Sequence, residues 1–201
     1  MLVGLGLGPG DPELLTLRAV RLLKEADAVF VPGRIAYDLV QPYREAEILD
    51  FPMTENADRI RSSMEKNAER IAGPARDGTA VLGILGDPNF FSTFHRLCEV
   101  VQEKYPGVAC ATEPGVSSFT AFASVAGVSL GDSFLVTDGS EPRSRILLKV
   151  RRPREKVREL KREGFFSFIL VERMFMDDMK IYSADELPET SDYMSILYAG
   201  R

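Results

Sequence analysis

Tryptophan is absent from this chain of 201 residues, histidine occurs once, and cysteine occurs twice. A single histidine, His95, excludes His-rich metal sites and weakens the case for a Ser-His-Asp triad. Cys98 and Cys110 lie in apolar stretches without C-x-x-C spacing, so neither a zinc site nor a structural disulfide is indicated. We therefore expect no metal held by protein ligands, and a reducing, cytoplasmic location.

Positive charge is not in excess either. The chain has 25 Lys and Arg against 30 Asp and Glu, a net charge of −5, whereas nucleic-acid binding needs surplus basic side chains on one face. Glu155 and Glu159 interrupt the basic run at residues 151–162, which we interpret as a solvated helix face. No apolar run approaches the roughly 18 residues that span a membrane, and the first residues show no basic leader. We expect neither nucleic-acid nor membrane partners.

Short apolar runs alternate with amphipathic segments over the first two-thirds of the chain, the pattern of βα units around a parallel sheet. The predicted strands there cover residues 1–7, 27–31, 46–50, 79–84 and 107–112. The predicted helices cover residues 12–26, 38–45, 56–76, 90–104 and 116–126. Asp11 precedes the first of these helices and is interpreted as its N-cap, with Pro12 and Glu13 in the first turn.

The remaining third is richer in strands. They are predicted at residues 133–137, 145–150, 166–172, 179–182 and 193–199, with one helix at 153–163. We therefore predict an α/β protein of two domains. The N-terminal domain, residues 1–126, has a mostly parallel sheet with helices, and the smaller C-terminal α/β domain, residues 127–201, has a mixed sheet.

Three loops follow predicted parallel strands directly. Loop A (residues 6–12) reads G-L-G-P-G-D-P, loop B (85–94) reads L-G-D-P-N-F-F-S-T-F, and loop C (113–119) reads E-P-G-V-S-S-F. Because the carboxyl ends of parallel strands share one edge of a sheet, all three loops should line one crevice. Glycines in such loops allow close approach of a ligand, although tight turns explain them too.

Loop A invites comparison with a dinucleotide-binding loop, but the G-x-G-x-x-G fingerprint fails. Pro9 or Asp11 stands where the third glycine belongs. The acidic residue that binds ribose is missing at the end of the second strand, where Val31 and Pro32 stand instead. An NAD-binding oxidoreductase is therefore disfavoured.

The ordered motifs G-x-G-P-G-D-P-x-L-L-T-L-R-A, L-G-D-P-x-x-x-S-T-F and P-G-V-S-S-F resemble those of the tetrapyrrole (corrin and porphyrin) methylases. The resemblance runs from Val3 to about Val171. It implies a methyltransferase of two α/β domains with S-adenosylmethionine folded in a cleft between them, a tetrapyrrole substrate and a homodimer.

The segment L-D-F-P-M-T (residues 49–54) adds similarity to the branch that methylates C20 of precorrin-2 or cobalt-factor II in cobalamin synthesis. Val31-Pro32 departs from the Tyr-Asp of uroporphyrinogen methylases, which argues against that branch. The loop after the second strand is shorter than C20 enzymes commonly have. Alternatives are a methylase of the same fold that acts on another corrin carbon or on a diphthamide precursor, and a non-catalytic module that binds the cofactor or a corrinoid.

The resemblance also implies site residues. The expected cofactor contacts are Pro9, Leu85, Gly86, Asp87, Phe90, Ser92, Thr93, Ser117, Ser118, Val150 and Met174. The expected substrate contacts are Gly8, Gly10, Arg34 and Arg96, the arginines because eight substrate carboxylates need cationic partners. The titratable candidates for a catalytic base are Asp87, Glu113, His95 and Tyr37. Helix capping by Ser117 and Ser118 and solvated arginine side chains are the competing interpretations.

Overall fold

The computed structural model describes residues 1–201. The chain forms two compact units, Met1–Ser133 and Phe134–Arg201. The first unit is built on a parallel sheet and the second on a separate antiparallel sheet. The predicted α/β class is confirmed.

The first sheet has five strands, all parallel, in the order β3-β2-β4-β1-β5. They are β1 (Leu2–Gly6), β2 (Ala28–Val31), β3 (Glu47–Ile48), β4 (Ala80–Ile84) and β5 (Cys110–Glu113). All five residues of β1 are buried, as expected for a central parallel strand covered on both faces. Since β1 lies between β4 and β5, the three loops that follow these strands begin side by side.

Helices cover both faces of this sheet. They are α1 (Leu17–Glu25), α2 (Arg34–Val40), α3 (Ala57–Asp77), α4 (Phe94–Lys104) and α5 (Ser118–Val125). One core cluster joins Leu2 and Leu82 to Ile71 of α3 and Leu97 of α4. A second cluster on the opposite face joins alternate sheet residues such as Val3 to Leu23 of α1. The alternation of side chains along each strand distributes these residues between the two cores.

Three helix predictions need correction. The helix predicted at 90–104 begins at Phe94, the last residue of loop B. The helix predicted at 12–26 is divided into a 3-10 turn, Pro12–Leu14, capped by the Asp11 side chain, and α1, capped by Thr16. Each cap offers a separate helix start, and the chain uses both. The helix predicted at 38–45 instead covers Arg34–Val40, so it begins four residues earlier and also ends before residue 45. Gly33 stands at its N-cap without a side chain, so the sequence carries no start signal there.

The second unit holds β6 (Ser144–Leu148), α6 (Pro153–Arg162), β7 (Ser167–Glu172), β8 (Lys180–Ser183) and β9 (Ser195–Gly200). The sheet order is β6-β9-β7-β8, and every neighbouring pair is antiparallel. The expectation of a mixed sheet is wrong for a topological reason. Strands β6 and β7 run in the same direction, but β9 lies between them and is antiparallel to both, so no hydrogen-bonded neighbours are parallel.

Two further features of this unit bear on the predictions. Residues 133–137 form no strand, because they find no hydrogen-bonded partner in either sheet. The basic run does form a helix, α6, which buries Val157 and Leu160 and leaves most of its charged side chains exposed. No helix in the structure combines the length and the hydrophobicity needed to cross a membrane.

The N-cap of α3 provides a test of the first unit. The Asn56 side chain accepts a hydrogen bond from the Arg59 N–H at 3.0 Å, and Asn56→Ala removes that acceptor. We expect the free energy of unfolding to fall by about 1 kcal/mol, measured by chemical denaturation. Asn56→Asp keeps an acceptor at the cap and should retain the stability. An equal loss in both variants would contradict the capping role.

Candidate functional site

Loops A, B and C meet at the carboxyl ends of β1, β4 and β5. Gly8 of loop A and Gly86 of loop B form an isolated antiparallel bridge. The Gly86 N–H donates to the Gly8 carbonyl at 2.7 Å, and the Gly8 N–H donates to the Gly86 carbonyl at 3.2 Å. The predicted convergence of loops A and B is therefore a direct backbone contact.

Three glycines allow loop C to join this contact. A Cβ atom on Gly6 would lie 2.3 Å from the Gly115 nitrogen, and one on Gly115 would lie 2.4 Å from the Gly86 carbonyl oxygen. Any side chain at Gly6 or Gly115 would push these backbones apart. The sequence suggested that these glycines allow a ligand to approach the backbone. At Gly6 and Gly115, the lack of a side chain first allows the backbones of the loops to pack against one another.

The Asp87 side chain fastens loop B to loop C. Asp87 is buried, its Oδ2 accepts from the Gly115 N–H at 3.1 Å, and its Oδ1 accepts from the Asn89 N–H and Nδ2 at 2.8 and 3.0 Å. Both carboxylate oxygens are thus engaged by donors. A buried carboxylate whose oxygens all accept hydrogen bonds holds the backbone of the two loops in place. Asp87 is therefore poorly suited to act as an accessible base.

Asn89 and Thr112 extend this network and were missed by the sequence reasoning. The Thr112 hydroxyl, on strand β5, donates to Asn89 Oδ1 at 3.0 Å. Asn89 therefore links β5 to Asp87 through its side-chain amide. An Asn two residues after an Asp in D-P-N is a common local turn signal, but its long-range partner could not be read from spacing.

The remaining predicted residues of loops A and B differ in their exposure. Leu85 and Phe90 are exposed, and Pro9 is half-buried beside the contact between the glycines. The Phe90 ring packs edge-on against Phe119 of α5, with centroids 5.7 Å apart. The Ser92 hydroxyl accepts from the Phe94 N–H at 3.0 Å, so it supports the start of α4. Thr93 occupies the N-cap of α4 without a capping hydrogen bond from its side chain.

Ser117 and Ser118 begin helix α5. Ser117 is the N-cap residue, yet its hydroxyl makes no hydrogen bond to the helix N–H groups, which disfavours the capping interpretation. Ser117 is buried and Ser118 is exposed. The Ser118 nitrogen is the nearest atom to the open side of Gly86, 3.9 Å from an idealised Cβ position there. Loops B and C therefore bring Gly86, the Ser117 residue and the N-terminus of α5 close together.

The other candidates for a base are placed differently. His95, on the first turn of α4, is 83% exposed at its side chain and lies 3.2 Å from Glu99. Glu113, at the end of β5, forms an ion pair with Arg18 at 3.0 Å. Tyr37 lies on α2, half-buried, with the Arg34 guanidinium 5.1 Å from its ring centroid. Only Asp87 and Glu113 belong to loops B and C.

The predicted substrate contacts lie at the same edge of the sheet but are not joined to one another. Arg34 begins α2, after β2, and is held by Asp38 at 2.8 Å. Arg96 is exposed on α4. Gly8 is buried in the bridge to loop B, whereas Gly10 has a left-handed φ of 126° and open space on its Cα.

A cavity of about 420 Å³ opens beside loop B, between the start of α4 and strand β5. Its walls combine loop residues with the apolar sheet edge: Pro88, Asn89, Phe91, Ser92, Phe94, His95, Cys98, Cys110, Ala111 and Thr112. Burial, with a contribution from the neighbouring Cys110 thiol, raises the pKa of the Cys98 thiol. Cys98 therefore lines this cavity as a protonated thiol, which is not a nucleophile at neutral pH.

Val150 and Met174 belong to the second unit, where they lie at one end of the sheet. Lys149 N–H donates to the Ser195 carbonyl and Arg173 N–H to the Met194 carbonyl, each at 2.8 Å. The residues after β6 and after β7 thus flank the start of β9. Val150 is buried and Met174 is exposed.

The profile of the tetrapyrrole (corrin/porphyrin) methylases matches residues 1–178. A protein of Methanocaldococcus jannaschii named "Probable cobalt-precorrin-2 C(20)-methyltransferase" is 30% identical, over 96% of this chain and 93% of its own length. The cobalamin biosynthesis protein CobIJ of Mycobacterium bovis is 30% identical over 94% of this chain, which spans 43% of that longer protein.

Solved structures of low sequence identity share the fold. The uroporphyrin-III-C-methyltransferase of Thermus thermophilus is 21% identical, with a TM-score of 0.51, over 99% of this chain and 91% of that one. A protein related to cobalamin synthesis (CobF) from Corynebacterium diphtheriae is 12% identical, with a TM-score of 0.54, over 100% of this chain and 98% of that one.

The hydrogen bonds to the Asp87 carboxylate can be tested by substitution. Asp87→Asn keeps the size of the side chain but replaces one acceptor oxygen with an amide group that cannot accept. A donor in loop B or loop C then loses its partner, and we expect the free energy of unfolding to fall by about 1–3 kcal/mol in chemical denaturation.

Asp11→Asn is the matched control for this change. The Asp11 carboxylate accepts only from the Glu13 N–H in an exposed turn, and Asn and Asp cap about equally well. It should leave stability nearly unchanged. If Asp87→Asn were equally neutral, the contact between loops B and C would not depend on the carboxylate.

Proposed function

The chain belongs to the tetrapyrrole (corrin/porphyrin) methylases, and we propose that it methylates C20 of precorrin-2 or cobalt-factor II in cobalamin biosynthesis. Family membership makes it a methyltransferase, and its methyl donor is S-adenosylmethionine. When bound, this donor supplies an electrophilic methyl group carried on a sulfonium sulfur.

The C20 assignment is carried by one observation above the others. The relative named for C20 methylation of cobalt-precorrin-2 is 30% identical and matches nearly the whole of both chains. The L-D-F-P-M-T segment agrees with it. In cobalt-factor II the cobalt ion belongs to the substrate, so the chain needs no ligands of its own for it.

The residues at loops B and C fit the proposed donor. Gly86 has a φ of 74°, and the Ser118 nitrogen, 3.9 Å from an idealised Cβ position, is the one atom within 4 Å of that position, so the edge of a ligand can approach the backbone there. Ser117 has a hydroxyl that its own helix does not use. Neither feature is a phosphate cradle, and a sulfonium donor without phosphates does not need one.

We assign the predicted residues to roles on this basis. Gly86, Leu85 and Ser117 hold the donor, while Asp87 keeps loops B and C in register through the Gly115 N–H. Methyl transfer is an in-line displacement, so the task of these residues is alignment of the two reactants. Rigid backbone, fixed by the contact between the glycines, suits that task.

The methylated carbon must then lose a proton, which a positioned side chain can accept. Among the four candidates, His95 lines the cavity that also borders Pro88, Asn89 and Ser92 of loop B. Asp87 already accepts three hydrogen bonds, and Glu113 is paired with Arg18. We therefore propose His95 as the proton acceptor.

Two further assignments stay predictions from the resemblance. Val150 and Met174 are proposed to contact the adenine side of the donor, and their common location at one end of the second sheet supports treating them as one group. The homodimer is a proposal of the same kind, as are the substrate contacts Gly10, Arg34 and Arg96.

The substrate claim predicts a defined product. Purified protein incubated with S-adenosylmethionine and cobalt-factor II should yield a macrocycle with one additional methyl group at C20, identified by mass spectrometry and NMR. Incubation without the donor is the control, and metal-free precorrin-2 tests the need for cobalt. If the protein binds the donor but forms no C20-methylated product from either macrocycle, the substrate proposal is wrong.

The role of Ser117 predicts a change in donor affinity without a change in stability. Ser117→Ala removes a hydroxyl that makes no capping hydrogen bond, so we expect a roughly fivefold weaker Kd for S-adenosylmethionine in calorimetry. Ser124→Ala, on the exposed face of the same helix, is the matched control and should bind the donor normally. Unchanged affinity in Ser117→Ala would remove Ser117 from the donor site.

A further inference from the structure

Phe91 of loop B has an unusual combination of backbone and side chain. Its φ is 51°, in the left-handed region that residues with a Cβ atom rarely occupy. The residue is 67% exposed, so burial of the ring does not offset the backbone strain. A strained conformation that persists without local benefit is a reason to look for a role in binding.

The residues on both sides of Phe91 explain why its backbone stays in this conformation. On one side, the Phe90 N–H donates to the Asp87 carbonyl at 3.3 Å, and the Phe90 ring packs on Phe119. On the other side, the Ser92 hydroxyl accepts from the Phe94 N–H. The loop is therefore fixed at both ends, and Phe91 stays largely exposed between them.

Phe91 forms part of the wall of the cavity beside loop B. Phe91 lines this space of about 420 Å³ with Phe94, His95 and Asn89. The proposed donor residues Gly86 and Asp87 precede Phe91 by only a few positions in the same loop. In a displacement reaction the acceptor must be in contact with the donor, so the acceptor has to lie against the exposed surface of these loops.

We propose that Phe91 is the platform on which the tetrapyrrole macrocycle stacks while its reacting carbon faces the donor. This inference rests on the proposed function, since the tetrapyrrole is the only reactant with a broad conjugated face. Aromatic rings attract one another in offset-stacked or edge-on geometry. Because the loop is already rigid, an exposed ring on it loses less conformational entropy on binding such a face than a flexible side chain would lose.

Steady-state kinetics test the proposal. Phe91→Ala should raise the KM for the macrocycle roughly tenfold, with kcat nearly unchanged because the lost contact is made before and during transfer alike. The Kd for S-adenosylmethionine should stay the same. Phe166→Ala removes another exposed phenylalanine ring, 74% exposed in the second unit, and should leave all three constants unchanged. An unaltered macrocycle KM in Phe91→Ala overturns the proposal.

A second variant separates stacking from loop structure. Phe91→Gly removes the ring and also the strain, so its melting temperature should rise above that of Phe91→Ala. Stacking predicts the same elevated KM in both variants despite their different stabilities. If the KM of Phe91→Gly instead equals that of the native protein while only Phe91→Ala has a raised KM, the effect comes from loop stability. Phe91 then has a structural role and the proposal fails.

A binding measurement keeps this inference separate from the proposed reaction. Because the chain has no tryptophan, Phe91→Trp introduces a unique fluorophore at the platform. Titration with uroporphyrin, an octacarboxylate porphyrin, should quench and shift its emission at saturation, whereas Phe166→Trp should show no spectral shift. If the emission shifts but the native protein forms no C20-methylated product, the stacking role of Phe91 stands and the proposed substrate is wrong. No shift would reject the platform, whatever the native enzyme methylates.

Discussion

The contact on which the candidate site depends is the hydrogen bond from the Gly115 N–H to the buried Asp87 carboxylate, 3.1 Å long. It ties loop C to loop B where the Gly8–Gly86 bridge already ties loop B to loop A. The position of β1 between β4 and β5 brings the three loops together, but adjacency alone would leave them independent. The carboxylate and the glycine backbones turn three strand ends into one continuous surface.

A surface made in this way is mostly backbone, which constrains the chemistry it can serve. Its polar groups near Gly86 are the buried Ser117 hydroxyl and the first N–H groups of α5. Such groups orient a neutral or zwitterionic ligand but do not supply a nucleophile or a metal. Methyl transfer from a sulfonium requires alignment more than chemical participation by the protein. The small number of titratable groups at these loops is therefore consistent with the family to which the chain belongs.

The sequence predicted the convergence of loops A, B and C because parallel strands bring their carboxyl ends to one edge regardless of sequence detail. It could not predict the Thr112–Asn89–Asp87 connections, since they join residues by geometry and not by spacing. The sequence also contains two helix start signals close together. Asp11 and Thr16 both cap helices, and the pattern could not decide between one helix and two. In the second unit, the insertion of β9 between β6 and β7 is a long-range choice that no local pattern encodes.

The same contact limits which residue can act as a base. Asp87 accepts hydrogen bonds from three N–H donors, and protonating it would weaken those bonds and loosen loop C from loop B. A group that must keep its charge to hold the site together is poorly suited to gain a proton in each turnover. In the proposed reaction, the proton from the methylated carbon is better taken by a side chain whose protonation leaves the loops intact. His95 meets that condition, because it lies on α4 at the cavity wall and its contact with Glu99 is retained when the imidazole is charged.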